Sequence, residues 1–347
     1  MSLPDPPRPR KPRRLGLWLP FAALALLVAG WSGAWIWARG QALSRMDAAV
    51  LRLGQAGFPI TWKDRAVGGY PFRIDISLTE VTARAPSGWA LGAPRIEGEA
   101  FLHGLTHWLI AAPQGLTFVR PIGGPVAVKG QLIRASLSHP GQRPPSVSFE
   151  GVKLVFEPGA DAAPFALESA GRVEFHLRAG PDDEGGVFAT VDAGKARPAT
   201  LLGRIAGDRP VAMVWNSTLS KISAFSGGAW AQAVRHWSDA GGRITVRQAG
   251  ITAGDAVAGA RSGVLGVAAD GRLSGVLDLS LRQAPRVLRV LGDAGAIAPE
   301  AAAAGVLVVQ ARQGAGDTAQ AALNFQAGRA TLGPVALGPA PRVYEPR

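Results

Sequence analysis

Leu15 to Ala38 is a run of twenty-four residues without one ionisable side chain, bracketed by Arg14 and Arg39. A helix needs about 20 apolar residues to cross the ~30 Å hydrocarbon core of a bilayer, so this run is long enough to span it. Trp18 stands near one end and Trp31, Trp35 and Trp37 crowd the other. Amphipathic rings favour the headgroup boundary, which makes these tryptophans two interface anchors. Ahead of the run, Arg8, Arg10, Lys11, Arg13 and Arg14 face one acid, Asp5. That asymmetry places residues 1–14 in the cytoplasm and sends the rest of the chain outward. A single-pass membrane protein with its bulk outside the cytoplasm is expected.

A cleaved signal peptide is the competing interpretation. Its apolar region usually runs about 7–15 residues and ends at a small-x-small site. Here the run is longer, and Ala38-Arg39-Gly40 is the nearest approach to such a site. An uncleaved signal anchor is therefore expected, with a mature form starting near Gln41 as the alternative.

The chain contains no cysteine, which excludes structural disulfides and cysteine-based metal or redox chemistry. Its net charge is +12, mostly from arginine. A diffuse basic surface suits anionic headgroups or polysaccharide. No Lys/Arg block beyond the tail is dense enough for a nucleic-acid patch, so nucleic acid is not an expected partner. Glycine and proline are abundant, but 47% of the residues are hydrophobic, which argues against disorder.

After Ala38 the pattern changes twice. Leu43, Met46, Val50 and Leu53 keep helical spacing, predicting a membrane-proximal helix over 39–57 that continues from the anchor over 15–38. From Phe72 onward the period becomes two. Phe72, Ile74, Ile76 and Leu78 alternate with polar residues, and so do Val173, Phe175 and Leu177, then Leu277, Leu279 and Leu281, then Leu323 and Phe325. Such alternation predicts strands with one apolar and one polar face. Turn signals recur between them, as in Gly68-Gly69, Gly123-Gly124-Pro125 and Asp270-Gly271. Short helices are predicted over 229–238, 285–291 and 297–304. Pro181-Asp182-Asp183-Glu184-Gly185-Gly186 divides an N-terminal β half, 58–180, from a C-terminal one, 181–347. The predicted fold is mainly β: extended, curved antiparallel sheet with a few short helices, preceded by one transmembrane helix.

No catalytic constellation emerges. His103 and His107 have helical ligand spacing but no HExxH context and no completing carboxylate. Asp182, Asp183 and Glu184 lack the alternating oxygen ligands of a calcium loop. No GxSxG occurs, and Thr218 with Lys221 is only a threonine version of SxxK. The sequence predicts no enzyme, no catalytic or metal residues and no cofactor.

Several segments carry a family likeness: Phe58-Pro59-Ile60-Thr61-Trp62, Gly69-Tyr70-Pro71-Phe72-Arg73, Trp237 with Gly241-Gly242, Asp270-Gly271-Arg272-Leu273-Ser274-Gly275, and Leu332-Gly333-Pro334-Val335. In these the chain resembles an uncharacterised domain-of-unknown-function family of Gram-negative bacteria with an N-terminal single-pass anchor. The resemblance spans nearly the whole exported part, implies an inner-membrane, single-pass location with the bulk of the chain in the periplasm, and brings no established activity. In layout the chain is similar to AsmA-like envelope proteins, where an anchor precedes a curved β groove with an apolar interior. The expected function is an envelope-maintenance groove that binds or passes lipid acyl chains, with Ile74, Ile76, Phe175, Leu279 and Phe325 in one interior and Arg73 and Arg120 at its rim. The alternative is a structural or assembly factor with a closed β core and an envelope protein as partner.

Overall fold

The computed structural model describes residues 15–142, 144–226, 229–312 and 318–344. The basic tail over 1–14 lies outside them. The first element is one helix, α1 (Leu15–Gln55). At 1.5 Å per residue it is about 60 Å long, twice what a bilayer core requires. Its first half is long and apolar enough to cross a membrane.

The second half of α1 lies along the sheet. Ala38 and Ala42 are small enough to bring the helix close to Ile74, Ile76 and Leu78, which point up from β3 (Arg73–Arg84). Leu43, Met46, Trp62 and Trp108 pack around them. Each fully buried side chain of this size contributes roughly 1.5–3 kcal/mol. The contact therefore joins the apolar helix firmly to the sheet. Phe72 does not join this face, contrary to the alternation. The strand begins at Arg73; Phe72 belongs to the preceding turn, is 68% exposed, and rests against Trp31.

The sheet is antiparallel throughout its ladders and contains 18 strands among the described residues. Short β1 (Ile60–Thr61) and β2 (Asp64–Gly68) flank β3 on one side, and β4 (Ala90–Phe101) pairs on the other. Next in chain order come β5 (His107–Ala111), β6 (Leu116–Arg120), β7 (Gly124–Lys129) and β8 (Leu132–Ser138), with the β5–β8 pair and the β6–β7 hairpin side by side. β5 joins one end of β4 and pairs with β8. β6 joins the other end and pairs with β7. Both β8 and β7 pair with the long β9 (Ser146–Pro158), which changes partner between Val152 and Val155. Lys153, at φ 51°, sits at that change, as a bulge would require.

From β9 the ladder continues through β10 (Leu167–Ala179), β11 (Glu184–Ala196), β12 (Val211–Ser220), β13 (Ile244–Ala253), β14 (Ala256–Val267), β15 (Leu273–Arg282) and β16 (Thr318–Gln326). β17 (Arg329–Leu332) and β18 (Val335–Pro339) complete it. The polar turn at 181–186 joins β10 to β11, and these pair along their length. The ladder thus runs unbroken across the boundary drawn from sequence between the two β halves.

The helices between strands are α2 (Leu201–Ala206), α3 (Trp230–Asp239), α4 (Ala284–Asp293) and α5 (Pro299–Arg312). Three fall where the sequence predicts them, and α5 extends beyond 304. The short α2 has too few residues to show a period. It is capped by Thr200, whose hydroxyl accepts from the Gly203 amide. Gly203 is needed there because a Cβ would lie 2.1 Å from the Arg197 carbonyl oxygen. Helices α4 and α5 cover the far part of the sheet, with Leu288, Ala302 and Val309 packed on Leu281 and Ala319.

Candidate functional site

Residues directly opposite each other in an antiparallel ladder share a face. One such line runs through twelve strands: Ile76, Gly98, Ile110, Ala135, Phe149, Phe175, Ala189, Trp215, Ala249, Ala260, Leu279 and Ala321. Every member is apolar. A second line through Val173, Val191, Met213, Ile251, Ala258, Leu281 and Ala319 is apolar as well. The neighbouring register on the opposite face reads Ser77, Glu97, Ala111, Arg134, Glu150, Glu174, Thr190, Val214, Gly250, Gly259, Ser280 and Gln320. The sheet therefore has one apolar side and one predominantly polar side from β3 to β16.

All five residues singled out from sequence lie on the apolar side. Ile74 and Ile76 are shut beneath α1. Leu279 and Phe325 belong to a packed cluster with Val246, Ala260, Leu277 and Ala330. Phe175 is different: it remains 37% exposed. Near it on the same face, Met213 is 42% and Ile251 39% exposed. Phe175, Met213 and Ile251 are thus exposed on the apolar side between β10 and β13, while Val173 and Val191 beside them pack on a buried cluster with Leu154 and Phe156, and Trp215 and Ala249 on the cluster around Val246. Met213, Trp215 and Ile251 were not anticipated. Alternation in Val211, Met213 and Trp215 carried the signal, but Val214 interrupts it on the polar side.

The open strip leads into an apolar cleft of about 160 Å³. Leu202 and Ile205 of α2 form one wall, Val287, Leu288 and Leu291 of α4 the other, and Ile251, Ala258 and Leu281 the floor. The one polar residue in the adjacent register, Ser217, is buried and satisfied by the Trp215 indole, which donates to its hydroxyl at 2.9 Å.

The two arginines expected at the rim do other work. Arg120 donates to the carbonyls of Gly123, Gly124, Ala163 and Pro164 and lies over the Phe165 ring. It holds the β6–β7 turn to the β9–β10 connection. Arg73 pairs with Asp75 and Glu99 beside the β2–β3 turn.

The polar side carries an ion network. Arg134 and Arg172 flank Glu150, each at 2.6 Å, and Arg172 also meets Glu174 at 2.8 Å. Hydrogen bonding from Arg134, with the charges of Arg134 and Arg172, holds the Glu150 carboxyl below its usual range. Further along, a broad trough of about 900 Å³ has Thr190, Asp192, Gln248, Asp278, Ser280 and Gln320 in its walls. No group of three or more metal-ligating side chains occurs among the described residues. His103 lies in a 3-10 turn and His107 opens β5, so they share no helix face; His107 instead meets His139 edge-on. Asp183 is a turn clamp, accepting from the Ser223 amide and hydroxyl. Thr218 accepts from Arg247.

The chain belongs to the family described as uncharacterised proteins conserved in bacteria, DUF2125, which it matches over residues 35–341. No curated protein and no solved structure matches it.

Proposed function

We propose that this DUF2125 protein is a membrane-tethered, non-enzymatic carrier or holder of lipid acyl chains, anchored in the inner membrane with its sheet in the periplasm. One observation carries the proposal: an apolar line crosses twelve strands without interruption, begins under the membrane-type helix, and on its side of the sheet Phe175, Met213 and Ile251 are exposed between β10 and β13. Four strands spaced about 4.8 Å apart make this strip roughly 15 Å across. A chain laid on it gains up to about 0.8 kcal/mol for each CH2 removed from water. Cover from α2 and α4 at one side supplies the concavity that a binding site needs. The basic tail and the absence of cysteine support that compartment.

Purified full-length protein, extracted with organic solvent and examined by mass spectrometry, should release bound lipid. The double variant Met213→Glu, Ile251→Glu should fold and release far less, since both positions already face solvent. Equal lipid from both proteins would end the proposal. Protein neighbours captured there instead of lipid would favour an assembly factor.

A further inference from the structure

The turn between β2 and β3 docks onto α1 within its apolar run, not beyond it. The Trp31 indole donates to the Pro71 carbonyl and the Trp35 indole to the Arg73 carbonyl, both at 2.9 Å. The Ser32 and Tyr70 hydroxyls are 2.9 Å apart, and the Tyr70 ring meets Trp35 edge-on. With residues 15–38 centred in a ~30 Å hydrocarbon layer, Trp35 falls at its distal boundary and Trp31 about 6–8 Å deeper.

From this geometry we infer that the Tyr70-Pro71-Phe72 turn, with Phe101 beside it, is a second membrane element that inserts into the distal leaflet at the headgroup–acyl boundary. Three features suit the turn to that depth. Its rings are bare: Phe72 is the most exposed, and Tyr70 and Phe101 are more than half exposed. Aromatic rings of this kind favour the membrane interface. Four of its carbonyls are paired. The carbonyls of Gly69, Pro71, Phe72 and Arg73 accept from Arg73, Trp31, Leu102 and Trp35 respectively, and Pro71 has no amide hydrogen to leave unpaired. Each such pairing lowers the cost of holding irregular backbone at the edge of the lipid. Finally, the surface is continuous with the helix: Ile36 and Trp37 are exposed at the same level. Two points of immersion, helix and turn, would fix the tilt of β3 and hold the start of the apolar face against the leaflet.

The natural lack of cysteine allows a clean test. Single cysteines at Phe72, Phe101, Leu26 and Asp208 in the full-length protein would carry an environment-sensitive fluorophore in phosphatidylethanolamine–phosphatidylglycerol vesicles. Phe72→Cys and Phe101→Cys should show blue-shifted emission and lose most of it to lipids bearing a nitroxide near the headgroup. Leu26→Cys should be quenched best by a deep nitroxide, and Asp208→Cys only by aqueous iodide. Both mutated aromatics are exposed, so folding should persist, and the far-UV spectrum checks it. Iodide quenching at 72 and 101 to the extent seen at 208, with 26 still lipid-quenched, would overturn the inference. Loss of lipid quenching at 26 as well would overturn the anchor along with it. Neither outcome bears on lipid release by the Met213 and Ile251 variant, so the groove stands or falls separately.

Discussion

The apolar face of the sheet is treated differently at its two places of interest. At β3, Ile74 and Ile76 are sealed by α1, while at β10–β13, Phe175, Met213 and Ile251 stand open. The two regions have the same chemistry and the same period, and they share a ladder register. Alternation therefore specifies which side of a strand is apolar but not what covers it. Cover comes from elements elsewhere in the chain: α1 at one end, α4 and α5 at the other, and α2 over Val211 and Ala253. The proposed ligand would lie where these leave Phe175, Met213 and Ile251 exposed.

A charge placed on each region should separate them most sharply. Ile76→Asp buries an unpaired carboxylate under α1 and should cost about 3 kcal/mol or more, enough to lower Tm strongly. Ile251→Asp should shift Tm little while removing bound lipid. Equal shifts in thermal melts of the two variants would mean the strip is as closed as the helix-covered edge.

Truncation gives a smaller version of the same contrast. Leu288→Ala, under the helical cover, should cost about 2–4 kcal/mol in denaturant unfolding. Met213→Ala should cost less than about 1 kcal/mol, because much of its surface never leaves water. A comparable cost at both positions would show that Met213 is packed.

Arg120→Ala tests whether that arginine is structural. Removing it strips donors from four carbonyls, and a loss of about 1–2 kcal/mol is expected with lipid content unchanged. A stable variant with depleted lipid would return Arg120 to the rim.

The smallest effect belongs to the polar face. The Glu150 carboxyl is held low, so its contribution is present above the ordinary value of 4.5 and lost as pH falls through the folded value. Acid titration of stability should therefore show a slightly weaker decline below about pH 4.5 in Glu150→Gln than in the unchanged protein. Lipid binding on the other side should ignore this change.

Much of the fold was readable from residue pattern alone. The long apolar run, the helical spacing of Leu43 and Met46, and the alternation from Ile74 onward foretold the helix and the β architecture. Family likeness at Gly69–Arg73 marked a segment whose geometry is now plain: it binds α1. What the pattern could not reveal was long-range. The side-by-side β5–β8 and β6–β7 pairs between β4 and β9 depend on a partner change at Lys153, which no local periodicity records. Phe72 was misplaced because alternation continues by chance into a turn. Met213 and Ile251 escaped notice because their importance lies in being uncovered, a property of the whole sheet. Arg120 is a loop clamp for the same reason: its four acceptors come from two distant turns.

Ile251 and Thr252 are adjacent in β13 and point to opposite sides of the sheet, so they offer the most direct comparison. Photo-crosslinking residues placed at each in the full-length protein, activated in living cells, report what touches either face. Lipid adducts at 251, few at 252, and none at Ile76 under α1 are the predicted outcome. Lipid captured equally at 251 and 252, or only protein captured at 251, would contradict an acyl-chain surface on the open strip.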